Sequence, residues 1–332
     1  MSIESLKNYV FTSKYSRYIP EKMRRETFEE AVERVIGMHR RHFANRGINV
    51  DDLLAVCETA MKKRMVLGSQ RAMQFGGDPI LRKHARIYNC TTSYCDRPRF
   101  FQKALWLLLC GCGVGFSVQA HHIAKLPGIA APGPANATFV IPDTIEGWSD
   151  ALGALLSGYF TSDQPFPEYA GAVVRFDYSQ IRPKGRPISS GMGRAPGPEP
   201  LRRSLEKIRA LLDARLAQGH ARLRSVDAYD ILMHASDAVL SGGVRRSATI
   251  CLFSPDDDLM ATAKTGNWFK ENPQRARSNN SAMLLRDATT REQFHKLMKS
   301  VREFGEPGFI FTDNLDATFN PCGEIGLYPQ ID

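Results

Sequence analysis

In residues 24–44 (RRETFEEAVERVIGMHRRHFA) the apolar Phe28, Val32, Val35, Ile36 and Phe43 fall near helical spacing, with charge between them. The pattern predicts an amphipathic helix, and Thr27 followed by Glu30 resembles a capping box. A second helix is predicted over Asp51–Met65. Residues 67–88 read as mixed and loop-like, with Gly76-Gly77-Asp78-Pro79 as a turn signal. Residues 98–110 read as a buried helix running into Gly111–Gly115. The short alternation Gly115–Val118 suits a strand. Beyond the Pro/Gly loop 127–136 come a helix over Ser149–Tyr159 and a strand over Val173–Phe176. Residues 182–200 form the longest Gly/Pro/basic stretch. Leu201–Ala217 and Asp227–Leu240 read as helices, Ser247–Phe253 as a strand and 272–281 as a polar loop before the apolar run 282–285. Arg291–Glu303 is predicted helical and Phe309–Phe311 a short strand. Strands separated by crossover helices imply an α/β fold with a mainly parallel sheet or barrel. The five candidates near 115, 174, 250, 283 and 310 amount to about half of a large barrel.

Composition narrows the class. Of 332 residues, 43% are hydrophobic and 24% charged, which provides for a sizeable core and excludes wholesale disorder. The longest apolar run, Ala104–Cys112, is too short to span a bilayer, so no membrane association is expected. The N-terminal stretch lacks an apolar core before a cleavage site, so no signal peptide is read and a cytoplasmic location is expected. Seven cysteines at irregular spacing argue against a disulfide scaffold. A net charge of +9 favours polyanionic partners such as nucleotides. The basic residues come in scattered pairs, such as Arg40–Arg41 and Arg202–Arg203, and do not outline a nucleic-acid groove.

Four segments could carry chemistry. In Asn320-Pro321-Cys322-Gly323-Glu324, an extended backbone would put an amide, a thiol and a carboxylate on one face. Such a trio could hold a polyhydroxylated substrate while sulfur attacks it. The same residues also suit a turn with Pro second and Gly fourth. The alternate glycines of Gly111-Cys112-Gly113-Val114-Gly115-Phe116-Ser117 allow close approach of a ligand or another chain segment, or tight helix–strand packing. Cys110 and Cys112 with His121-His122 could ligate a metal, but the spacing is not that of structural zinc. Buried structural cysteines are the preferred reading, with no metal site. Arg182, Lys184, Arg186 and Arg194 among glycines suit an oligophosphate-binding loop or a flexible surface loop.

Taken in order, several segments resemble the large catalytic subunit of ribonucleotide reductase, in its adenosylcobalamin-dependent class II, triphosphate-reducing, short phage-like form. They are Tyr15-Ser16-Arg17 with Arg24-Arg25-Glu26-Thr27, Tyr88-Asn89-Cys90, Leu109–Val118, Ile181–Gly185, Gly242–Ala248, Asn272–Ala276 with Asn279-Asn280-Ser281, and Asn320–Ile325. The resemblance implies the first half of a ten-stranded α/β barrel with a finger loop (87–332), preceded by a small helical region (1–86). It implies reduction of ribonucleotides, as triphosphates, to 2′-deoxyribonucleotides by thiyl-radical chemistry. Cys322 matches the thiyl cysteine, Glu324 the carboxylate acting on the 3′-hydroxyl, Asn320 the ribose-binding amide and Cys90 one of two reducing cysteines. Asn89, Gly113, Gly115 and Ser117 match substrate-binding positions. Asp96, Arg182, Lys184, Arg186, Gln274 and Arg277 match effector-binding positions, with 272–280 relaying effector identity.

The implied cofactors are adenosylcobalamin, a deoxynucleoside triphosphate effector and an external dithiol of the thioredoxin type. The second reducing cysteine and the second half-barrel have no counterpart here, so the chain is expected to work with a C-terminal half of the same enzyme. A homodimer or a radical-generating subunit is a further expected partner. Two alternatives stand beside this reading. One is a catalytically incomplete nucleotide- and effector-binding fragment. The other is a class I-like diphosphate reductase served by a ferritin-like subunit.

Overall fold

A computed structural model describes residues 2–188, 194–239 and 248–328. The chain forms two compact units, one of Met1–Asn89 with Pro187–Gly193, the other of Cys90–Arg186 with Arg194–Asp332.

The first unit is helical. Thr27 and Glu30 close a reciprocal capping box that starts the helix Phe28–Ala44. The helix therefore begins four residues later than the periodicity predicts. Arg24–Arg25 instead pairs antiparallel with Tyr18–Ile19. Val32, Val35 and Ile36 pack on Leu54 and Met61 of the helix Asp51–Lys62 and on Ala72 and Met73. Residues 67–88 are not a loop: they hold the short helices Gln70–Phe75 and Asp78–Arg82. Elements this short bury too few positions to show a period.

The second unit is built on a five-stranded parallel sheet: β1 (Cys90–Tyr94), β2 (Gly113–Ser117), β3 (Thr249–Phe253), β4 (Ser278–Leu285) and β5 (Gly308–Thr312), paired in that order. Two of its members correct the sequence reading. Val173–Asp177 lies outside this sheet and pairs with Asn136–Val140 in a separate two-stranded ribbon. Its expected place is taken by Cys90–Tyr94, which has no apolar alternation to announce it. Ser278–Ser281, read as polar loop, is the start of β4, and Ser278, Asn280 and Ser281 are buried.

Period-two alternation sorts the strands' side chains between two faces. Val114 and Phe116 of β2, Cys251 and Phe253 of β3, and Ala282 and Leu284 of β4 join the main core under the helices. There Phe100, Phe101 and Leu105 of the helix Arg99–Leu109 meet Phe116 and Tyr229. Each fully buried side chain of this size contributes about 1.5–3 kcal/mol relative to exposure. Ile250, Leu252 and Met283 form a second, small cluster on the other face with Ile310, Leu315 and Phe319. Phe319 belongs to a terminal hairpin, Thr318–Phe319 against Gly326–Leu327. No helix among the described residues is long and apolar enough to cross a membrane.

Candidate active site

On the face of β2 away from the helices stand Gly113, Gly115 and Ser117, so two of three positions carry no side chain. The hairpin uses that bareness. A Cβ on Gly115 would sit 1.8 Å from the carbonyl oxygen of Phe319. One on Gly113 would sit 3.1 Å from Pro321 Cγ and 3.2 Å from Cys90 Sγ. The alternate glycines are therefore a track for the hairpin, the close-approach reading of this motif.

The track leads the hairpin tip to Cys90. In parallel register Cys90 pairs with Gly113, and its Sγ lies 3.9 Å from Cys322 Sγ. Residues 232 positions apart thus place two thiols in contact. The tip itself is not extended, which corrects the one-face geometry. The Gly323 N–H donates to the Asn320 carbonyl at 2.9 Å, and Gly323 takes φ +75°. This is the turn that Pro second and Gly fourth also suit.

Asn320 is buried at 4% exposure and Cys322 is exposed at the tip, as is Glu324. Asn320 Oδ1 accepts from the Ile325 N–H at 3.1 Å and so ties the turn shut. Its Nδ2 is buried with no hydrogen-bond partner, as is the Thr92 hydroxyl of β1. An unspent buried donor beside an exposed thiol is costly unless a ligand satisfies it. Thr92 has no signal in the sequence beyond its place two residues after Cys90, which is a site position only once Cys90 is known to start a strand.

The other expected residues are distributed as follows. Ser117 Oγ accepts from Gln119 Nε2 at 3.0 Å and lies 2.9 Å from His122 Nδ1. Asn89 falls in the first unit, where it accepts from Arg71. Asp96, at the end of β1, is ion-paired with Arg97. Arg182 is paired with Asp143 at 2.5 Å, and Lys184 and Arg186 are exposed. Gln274 Nε2 donates to Asp230 at 3.1 Å and Arg277 Nε to Asp237 at 2.8 Å, both carboxylates on the helix Ser225–Val239. The contacts of Asp96 and those of Gln274 and Arg277 are thus made to different elements. Residues 189–193 of the basic loop and 242–247 of the Gly242–Ala248 motif lie outside the described residues.

Beside Gln274 opens a cavity of about 530 Å³ lined by Lys207, His234, Lys270 and Asn272. Lys207 also lines a second cavity of about 240 Å³ with Arg203, Ser204 and Asp237. Arg203 and Lys207 lie four apart on the helix Glu199–Ala217, one face of a segment read only as charged and amphipathic. Of the remaining cysteines, Cys95 and Cys251 are fully buried, and burial pushes both thiols well up.

Comparison with known proteins bears on the fold as a whole. Residues 129–212 match a family described as the insertion domain of B12-dependent ribonucleotide reductase. The chain is 27% identical to the adenosylcobalamin-dependent ribonucleoside-triphosphate reductase of Lacticaseibacillus paracasei, across 94% of this chain and 51% of that protein. It is 30% identical to the Euglena gracilis protein of the same name, across 73% of this chain and 32% of that one. A crystal structure of a B12-dependent class II ribonucleotide reductase superposes with a TM-score of 0.80 at 23% identity, covering 96% of this chain and 53% of that one. The chain spans about half the length of the bacterial relatives it matches along nearly its whole length. Sequence and fold thus agree: over nearly its whole length the chain is similar to class II ribonucleotide reductases.

Proposed function

We propose that this chain carries the thiol half of a ribonucleotide reductase site and reduces ribonucleoside triphosphates together with the remaining half of such an enzyme. The observation that carries the reading is the contact of Cys322 Sγ with Cys90 Sγ at 3.9 Å, made by a hairpin running over bare glycines. Cys322 takes the 3′-hydrogen of the ribose as a thiyl radical. Glu324 accepts the 3′-hydroxyl proton and later returns it, a proton from the reducing thiols lets the 2′-hydroxyl leave as water, and Cys322 gives the hydrogen atom back to C3′. The unspent Nδ2 of Asn320 and the Thr92 hydroxyl hydrogen-bond the sugar. Cys90 provides one of the two thiols that supply two electrons and end as a disulfide. Cys95, Cys110, Cys112 and Cys251 are buried and Cys57 stands on the helix Asp51–Lys62 of the first unit, so the second thiol is assigned to the remaining half of the enzyme, and an external dithiol restores the pair.

Adenosylcobalamin, named in the relatives, would supply the radical when bound. Cys322 is the residue it would act on, since this thiol stands exposed at the hairpin tip. Arg203, Lys207 and Lys270 around the two cavities suit the phosphates of a deoxynucleotide effector, and Gln274, which lines the larger one, would sense its base. Arg182, Lys184 and Arg186 extend the same basic character along the preceding loop.

The test is Cys322→Ser in the chain complemented by the C-terminal half of a relative, with adenosylcobalamin and dithiothreitol. Deoxynucleotide formation falls by about a hundredfold or more, the scale of losing an essential reacting group, while nucleotide binding persists. Turnover near wild type would overturn the assignment.

A further inference from the structure

The pair His121–His122 takes no part in the thiol site, yet the fold gives it a partner from far along the chain. Both histidines stand on the short helix Ala120–Ile123 after β2. Asp316 reaches them from the segment between β5 and the hairpin. Its Oδ1 lies 2.8 Å from His121 Nε2 and 3.3 Å from His122 Nε2. We propose that His121, His122 and Asp316 form a binding site for a first-row divalent transition ion of the Zn²⁺ class.

Three observations carry this. The donor set is two imidazoles and one carboxylate, with all three ligand atoms within 4.8 Å of one another. That set suits Zn²⁺ or Co²⁺, whereas Mg²⁺ and Ca²⁺ select all-oxygen cages. The spacing fits as well. Metal–ligand bonds of about 2.0–2.1 Å in a tetrahedron separate ligand atoms by about 3.3 Å. The His122–Asp316 edge is already there, and the His121–Asp316 edge opens by about half an ångström as an ion replaces the proton between them. Finally, the site is held ready. His122 is 1% exposed, its ring stacks on Tyr94 at 4.2 Å, and Ser117 Oγ holds Nδ1 from behind at 2.9 Å. Such an outer partner is what fixes ligand histidines in metal sites. His121 and Asp316 are half exposed, which leaves an entry path and room for water at the open positions.

The ion would act on the hairpin. Asp316 lies four residues before Asn320, its carbonyl accepts from the Tyr94 hydroxyl at 2.5 Å, and Gln119 Nε2 donates to the neighbouring Leu315 carbonyl at 2.8 Å. A metal joining Asp316 to the helix after β2 therefore pins the root of the segment that carries Cys322.

The experiment titrates the full chain with Co²⁺ and follows the visible ligand-field bands. The expected result is one ion per chain, with bands lacking the near-ultraviolet sulfur-to-cobalt charge transfer that the Cys90–Cys322 pair would give, and retained in the Cys90→Ser/Cys322→Ser double variant. His121→Ala and Asp316→Asn each weaken binding at least tenfold, and Zn²⁺ raises the melting temperature of the wild type but not of His121→Ala. Circular dichroism checks the fold of each variant. Should Asp316→Asn unfold, His121→Ala decides alone, since that side chain is 41% exposed. No binding at micromolar ion, a thiolate band lost with the two cysteines, or unchanged affinity in His121→Ala overturns the proposal.

Discussion

Replacing Gly115 by alanine tests whether the glycine track sets the thiol geometry. The new Cβ would lie 1.8 Å from Phe319 O, 2.9 Å from Phe319 C and 3.2 Å from Ile250 Cγ2. The first two neighbours are backbone, so no side-chain rotation relieves the clash. To reach ordinary contact near 3.4 Å, the hairpin must retreat by about 1.6 Å. Overpacking of this kind costs about 1–3 kcal/mol. Because Asn320–Glu324 hang from Phe319, the displacement carries Cys322 away from Cys90, whose sulfurs now stand 3.9 Å apart. A disulfide needs about 2.05 Å between sulfurs, so the wild-type pair closes after a small movement and the displaced pair does not. The assay oxidises the chain mildly with diamide and follows the Cys90–Cys322 cross-link by peptide mass spectrometry, which requires neither cofactor nor substrate. The cross-link forms in the wild type and at least tenfold more slowly in Gly115→Ala, with a lowered melting temperature. A wild-type cross-linking rate and unchanged stability in Gly115→Ala would refute the reasoning.

Three further outcomes are expected. Gly37→Ala, inside the helix Phe28–Ala44 where a Cβ meets nothing within 4 Å, raises stability in denaturant by about 0.5–1 kcal/mol, the reverse of Gly115→Ala. His122 has a folded pKa near 4, below the ordinary 6.5, because burial disfavours its charge. The unfolded chain then takes up the proton first, and stability falls as pH drops from about 6.5 to about 4 and levels off below. Melting curves of His122→Gln should lose the part of that slope due to this ring. Arg203→Ala with Lys207→Ala weakens dATP binding in calorimetry far more than Arg40→Ala with Arg41→Ala, which removes equal charge from the first unit; equal weakening would mean that global charge alone attracts the nucleotide.

The residues decide by themselves whatever is local and periodic. The capping box at Thr27 and Glu30, the helix Arg99–Leu109 and the β-branched strand Thr249–Phe253 all follow from neighbours within one or two turns, and all stand where the pattern puts them. The order of the Cys90, Gly111–Val118 and Asn320–Ile325 segments likewise carries the resemblance to ribonucleotide reductases without any fold in hand. Pairing is another matter, because it joins residues with no sequence relation. β1 escapes notice because its residues Cys90, Thr91, Thr92 and Ser93 are only half-buried and mostly polar, without the apolar alternation that marks a strand facing a core. Val173–Asp177 has that alternation, yet its partner is Asn136–Val140, a choice made by contacts and not by its own residues. The same holds at the site. Both an extended segment and a turn satisfy Asn320–Glu324 locally, and the turn wins because Asn320 can hold Ile325 while the hairpin lies on Gly115. That packing, and the meeting of His121 and His122 with Asp316, exist only once the chain has closed over its own β2 strand.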